Sequence, residues 1–218
     1  MILFENAHFI VVDKPAGWLS VAGRQVSPTP CLLHRLSEKL GAQVWPTHRL
    51  DRAVSGVMLY AKSPAAHRCA SLWFEQRLIE KDYEALTDPG SCPSPQQRFH
   101  WEGLLIRGKK RAYERPFGKM AITDAEFIGT QTIFMRTAAY WRLKPRTGRS
   151  HQLRYHLAHA GFPIWGDALY GSSHPIPAAD AIALRAVRLT FLDPNHASFG
   201  LPSQIDTVSI LDWMASLK

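Results

Sequence analysis

His100-Trp101-Glu102-Gly103-Leu104-Leu105, Asp124-Ala125-Glu126-Phe127-Ile128 and the run from Ile133 to Leu143 follow one another with no helical pattern between them. Three strand-like runs in succession point to antiparallel pairing, because parallel neighbours need a crossover of a dozen or more residues, usually a helix. Upstream, Met1 to Asp13 reads as two short strands broken near Glu5-Asn6, the second stopped by Asp13-Lys14-Pro15-Ala16-Gly17. Further strands are expected over Gly56 to Ala61, Tyr83 to Leu86 and Ala186 to Leu192. Helices fall between these at irregular intervals. The first runs from about Cys31 to Leu40, with Thr29 as cap, Pro30 at its first position and Gly41 at its end. Another opens at Ser63-Pro64 and runs to about Ile79, with Ala66, Cys69, Ala70 and Trp73 on one face. A third lies between Ser150 and Gly161, and a fourth starts near Thr207. Residues 88–98 read as a loop. The pattern predicts an α+β fold: one domain over residues 1–218, with a mixed, largely antiparallel sheet flanked by helices and loops.

Charge is the first functional hint. The 218 residues hold 26 Lys+Arg against 18 Asp+Glu, a net +8 before any of the 10 His contribute. A hydrophobic share of 46% excludes a disordered chain. The densest basic cluster, Arg107 to Arg111, is too short for a polycation tail, so the excess belongs to a folded body and favours a polyanion. Cys31, Cys69 and Cys92 make neither a disulfide framework nor a zinc pattern, which fits a reducing cytoplasm. No run approaches the ~18–20 apolar residues of a membrane helix, and no secretory leader is evident. Neither a phosphate-binding loop of the nucleotide-hydrolase type nor a dinucleotide fingerprint occurs, and His151, His156 and His159 lack a companion carboxylate or Cys at metal spacing. No cofactor and no metal are expected.

Two constellations could carry chemistry. In Thr47-His48-Arg49-Leu50-Asp51-Arg52-Ala53-Val54-Ser55-Gly56, an aspartate stands between two arginines, which favours its ionised form, ready to act as nucleophile or base. The plain alternative is a structural ion pair at a strand start. In Lys144-Pro145-Arg146-Thr147-Gly148-Arg149-Ser150-His151-Gln152-Leu153-Arg154, three arginines, a lysine and a glycine precede a helix N-terminus, which suits a phosphate. His151 and Arg154, three apart, share a helix face. Lys81-Asp82-Tyr83 says almost nothing alone, and Gly161-Phe162-Pro163-Ile164-Trp165-Gly166-Asp167-Ala168-Leu169-Tyr170-Gly171 reads as a tight structural loop.

Taken in order, these pieces resemble the RluA-type pseudouridine synthases that modify rRNA and tRNA. The resemblance begins at Val11 to Ser20 and runs through His48-Arg49-Leu50-Asp51, Ser55-Gly56, Lys81-Asp82-Tyr83, Gly118 to Thr123, Arg146 to Leu157 and Pro163 to Gly171. Leu19-Ser20-Val21-Ala22-Gly23-Arg24 looks like the dual-specificity branch. The resemblance implies that Asp51 is the catalytic aspartate, that Tyr83 stacks near the target base, and that Arg154 is the basic residue paired with Asp51. It also implies that Arg49 enters the space vacated by a flipped uridine and that Leu184 lines the pocket. Arg52, Arg146, Arg149 and His151 then belong to the RNA-binding surface. Val54 stands where the family usually has Thr, Arg185 where His is common and Met120 where Pro is common. Many members carry an added N-terminal RNA-binding domain that this chain lacks, so a compact rRNA or tRNA stem-loop is the implied partner of a monomer. The competing readings are a non-catalytic RNA-binding or RNA-folding protein on the same scaffold, and a metal hydrolase using the histidines.

Overall fold

This computed structural model describes residues 1–22 and 30–217, and its strands begin with two short apolar runs near the N-terminus. β1 spans Ile2–Glu5 and β2 Phe9–Lys14. The Asn6 side chain turns the corner between them by accepting from the His8 and Phe9 amides. Helix α1 is Leu32–Leu40, capped at its end by Gly41 in the left-handed conformation, φ 60°. Strands β3 (Trp45–Pro46) and β4 (Ser55–Ala61) lead to α2 (Pro64–Glu75), whose N-cap Ser63 accepts from the Ala66 amide. Then follow β5 (Ile79–Thr87), β6 (Arg98–Arg107), β7 (Ala112–Glu114), β8 (Lys119–Ile133) and β9 (Arg136–Pro145). Helix α3 (Gln152–His159), β10 (Leu184–Phe191), β11 (Gln204–Asp206) and α4 (Ile210–Ala215) complete the chain. Thr29, Gly23 and Arg24, named above, lie outside the described residues. No helix among the described residues is long and apolar enough to cross a membrane.

The chain forms two compact units, one of residues 1–81 and 186–207, the other of 82–185 and 208–218. In the first, β2 pairs antiparallel with both β1 and β4, β3 pairs with β4, and β10, beside β4, pairs with β11. One face of this sheet supplies Phe9, Val11, Val57 and Leu59, and α2 lays Ala66, Ala70 and Trp73 on it. Alternation puts Ile10, Val12, Met58 and Tyr60 on the opposite face. In the second unit the order is β5-β9-β8-β6-β7, antiparallel throughout. Its core centres on Trp141, buried among Phe99, Phe127 and Phe162, with its indole N–H donated to Thr87 Oγ1 at 3.0 Å. The expected α+β class and antiparallel bias hold.

The strand expected over Asp124 to Ile128 runs from Lys119 to Ile133, the last helix starts at Ile210 rather than near Thr207, and two further boundaries shift for a local backbone reason. The second helix ends at Glu75 rather than Ile79, because Arg77 turns left-handed (φ 61°) and the Leu78 amide bonds back to the Trp73 carbonyl. The strand read from Ile133 to Leu143 is broken at its start by a tight hairpin on Phe134 (φ 49°) and Met135 (φ 62°). Neither residue type signals positive φ.

Candidate active site

Asp51 sits half-buried on the loop between β3 and β4, and that loop is fastened on both flanks. On one side the Thr47 hydroxyl donates to the Leu59 carbonyl at 2.8 Å, and His48 Nε2 accepts from the Leu59 amide at 3.1 Å. Although part of His48 reaches solvent, enclosure of its ring, which lies 4.6 Å from Phe74, pushes its pKa down to about 3, and Lys81 adds to the drop. The imidazole is therefore a neutral acceptor. Ser20 then clasps Leu50, donating to its carbonyl and accepting from its amide.

On the other side stands Lys14, with no exposed surface. Its ammonium donates to the carbonyls of Pro15, Trp18 and Arg52 at 2.9, 2.9 and 3.1 Å. Burial pulls its pKa down to about 7, against the opposing pull of Asp51 and Asp13. Finally the Val54 amide closes a turn onto the Asp51 carbonyl at 3.1 Å. Val54 is itself buried, so the family's usual hydroxyl is replaced by a packed methyl while the turn stays closed through backbone. Arg49 and Arg52, by contrast, are exposed, as a residue meant for a polyanion must be.

In the second unit Tyr83 is buried on β5, in register with Leu143 of β9, and Leu184, 2% exposed, opens β10. Arg154 lies on α3, buried. Its guanidinium forks onto Asp167, Nε to Oδ2 at 2.6 Å and Nη2 to Oδ1 at 2.8 Å, and lies 5.0 Å from the centre of the Tyr170 ring. His151 Nε2 is 3.4 Å from Arg154 Nη1, and His151, at φ 56°, is the N-cap of α3. Gln152, the first residue of α3, gathers the turn that precedes the helix: its Oε1 accepts from the Thr147 hydroxyl and the Arg149 amide, and its Nε2 donates to the Ile122 carbonyl and the Thr123 hydroxyl. That network aims two exposed arginines outward. Arg149 Nε donates to the Met120 carbonyl, and Arg146 Nε donates to Asp124 Oδ2 at 2.6 Å. Arg185 is buried, gives its Nε–H to the Val208 carbonyl and lies 5.9 Å from the Trp213 ring centre.

Arg154, His151, Arg146 and Arg149 thus share one turn-and-helix segment, as the spacing implied. Supporting residues went unassigned, among them Lys14, Ser20, Gln152, Asp167 and Tyr170. All stood inside the motifs quoted above, and only burial and partnership reveal what they do. The Gly161–Gly171 stretch is structural as expected, with Trp165 1% exposed.

The chain is similar to known proteins over most of its length. Residues 8–159 match the family model for RNA pseudouridylate synthase. The chain is 34% identical over 209 residues to the dual-specificity RNA pseudouridine synthase RluA of Escherichia coli K12, covering 93% of each. Against the RluA of Pasteurella multocida it is 35% identical over 210 residues, covering 92% of each. Among solved structures, human RNA pseudouridylate synthase domain containing 1 superposes with a TM-score of 0.71 at 22% identity, over 99% of this chain and 93% of that one, a likeness of fold.

Proposed function

Since this chain belongs to the RNA pseudouridylate synthase family, and is an isomerase that converts uridine to pseudouridine in RNA, we propose how its residues divide that work. Asp51 is the catalytic carboxylate. The reaction breaks the C1′–N1 bond of a uridine and forms C1′–C5. C5 gives up a proton and N1 takes one, so nothing is oxidised and no donor is consumed. Asp51 either attacks C1′ or removes the C2′ proton, and both routes need it ionised and fixed in place. The observation that carries this role is the double fastening of its loop by Ser20 and Lys14. A preorganised carboxylate spends no reorganisation energy at the moment of reaction.

Extruding the base costs on the order of a few kcal/mol. Arg49 fills the vacated stack, Tyr83 holds the extruded ring, Leu184 lines its pocket, and Arg154 serves Asp51 and the same uridine. Arg52, Arg146, Arg149 and His151 contact the flanking phosphates and ribose. The substrate is a structured rRNA or tRNA stem-loop, in keeping with the dual specificity named for the bacterial relatives. Residues 1–218 act as one catalytic domain, a cytoplasmic monomer that uses no cofactor. Asp51→Asn tests the assignment. It abolishes pseudouridine formation and leaves RNA binding within about twofold, because the isosteric amide keeps the loop but cannot act as nucleophile or base. Retained turnover in the purified variant excludes Asp51 from the chemistry. Substrate deuterated at C2′ separates the two routes: a primary isotope effect marks proton removal.

A further inference from the structure

We propose that Glu84 and Arg185 are positioning residues for the uridine pocket: gripped by the turn that opens α4, they hold the strands of Tyr83 and Leu184 at a fixed separation. The inference rests on the roles given to Tyr83 and Leu184 in the pseudouridine synthase reading. Tyr83 is followed on β5 by Glu84, and Leu184, at the start of β10, by Arg185. Side chains alternate across a strand, so Glu84 and Arg185 leave their strands by the face opposite the pocket residues. All four, and residues 208–218, belong to the second unit.

On that far face the end of the chain gathers both. Glu84 Oε2 accepts from the Ile210 amide at 2.8 Å, and Arg185 Nε donates to the Val208 carbonyl at 2.9 Å. The turn they share is itself fixed. Ser209, between the two anchor points, is the N-cap of α4 and accepts from the Asp212 amide at 3.1 Å, while Ile210 and Met214 have no exposed surface. The Arg185 guanidinium lies 5.9 Å from the ring centre of Trp213 on the same helix. Tyr140 of β9 holds Glu84 from the other flank: burial, and then its hydrogen bond to Glu84, push the Tyr140 phenol pKa above its ordinary value. Closer to the pocket, the Leu86 amide of β5 donates to the Ala183 carbonyl, just before Leu184, at 3.0 Å. Backbone on one side and side chains on the other leave little freedom in the gap between Tyr83 and Leu184.

Stability alone does not account for the arrangement. Glu84 is 9% exposed and Arg185 1%. Buried ionic groups commonly stabilise no better than apolar residues of the same size, and their best-attested use is to fix one register among several. Here the register they fix is that of two strands whose next residues face the reacting base.

The test uses the full chain in excess over total RNA taken from cells lacking the protein, so that a single turnover is followed. The folded fraction of each variant is read from urea unfolding, and the rate of pseudouridine formation is expressed per folded molecule. Glu84→Ala strips the Ile210 amide of its acceptor and lowers that rate about tenfold or more, since a displacement of ~1 Å can cost on the order of 100-fold. Glu84→Gln keeps an oxygen at the same place and recovers most of the rate. RNA affinity stays within about threefold of wild type in both, because phosphate contacts made elsewhere dominate it. An unchanged rate per folded molecule in Glu84→Ala, with only the urea midpoint lowered, overturns the proposal. So does a loss of RNA affinity equal to the loss of rate, or a Glu84→Gln rate no better than that of Glu84→Ala. Should Glu84→Ala yield no folded protein, Trp213→Leu puts the same question from the half-buried side of α4: a slower rate per folded molecule supports the brace, and an unchanged one overturns it. Wild-type rates in both Tyr83→Ala and Leu184→Ala would instead overturn the parent reading of the pocket, a result obtained without touching Glu84 or Arg185, and the inference would fall with it.

Discussion

Asp167 grips the Arg154 guanidinium inside the protein. Both its carboxylate oxygens are spent on that guanidinium, and both residues are buried. Asp167→Asn leaves a buried charge facing a neutral amide, which costs about 3–5 kcal/mol, readable from urea unfolding, and lowers pseudouridine yield with it. A loss under about 1 kcal/mol would mean that other contacts carry Arg154. Lys14 gives a second prediction at this scale. Its pKa is about 7 in the folded chain against 10.5 ordinarily. Below pH 7 both states hold the proton, and the buried charge costs its full amount. Between those values the unfolded chain binds more protons, so stability rises with pH. Unfolding at pH 7 and pH 9 shows a gain in the wild type that shrinks in Lys14→Met. Lys81, pulled down to about 8 by burial, contributes a similar slope to both proteins and cancels in the comparison. An equal gain in the two proteins would remove Lys14 as its source. Neither role was legible in the sequence. Asp167 lies thirteen residues from its partner, and a lysine in Asp13-Lys14-Pro15 gives no sign that three carbonyls will enclose it.

β4 shows what a single position can demand of an element. Gly56 has φ +118°, and a Cβ there would lie 2.0 Å from the Ala186 carbonyl oxygen on neighbouring β10. Backbone cannot retreat as a side chain can. Gly56→Ala combines overpacking of about 1–3 kcal/mol or more with backbone strain of about 1–3 kcal/mol. Insoluble protein or a strongly lowered urea midpoint is the expected result, and a midpoint near wild type would show that the strands can part. The sequence marked this glycine as following Ser55 at a strand start, but not what approaches it. Elements with a period or a punctuating residue were legible: β1 and β2 around Asn6, α1 ending at Gly41, α2 opening at Ser63-Pro64. β7 and β11, three residues each, are too short to carry a period. The Phe134-Met135 turn escaped because bulky residues there follow the hairpin register rather than their own preference.

Over the whole molecule, the order of the chain differs from the order of its cores. Phe9, Val11 and Trp73 of the first unit pack into one cluster with Leu189, Phe191, Leu201 and Ile205, which arrive only after residues 82–185 of the second unit. A resemblance running in chain order recovers the motifs in sequence but not this division. Burying each of those four late residues contributes about 1.5–3 kcal/mol, so together they supply on the order of 6–12 kcal/mol. A small domain is stable by only about 5–15 kcal/mol in all. The loop that holds Asp51 therefore depends on residues more than a hundred positions downstream. Expressed alone, residues 1–81 give no cooperative urea transition by circular dichroism, although Asp51, Lys14 and Ser20 are all present. Joining 186–207 to Lys81 through a flexible linker of about 10 Gly and Ser residues restores the transition, because this late segment brings all four core side chains with it. A cooperative transition in residues 1–81 alone would show that α2 and the first four strands close their core without it. In that event Asp51 could be held by a unit completed early in synthesis, and substitutions at Leu189 or Phe191 would leave its loop intact.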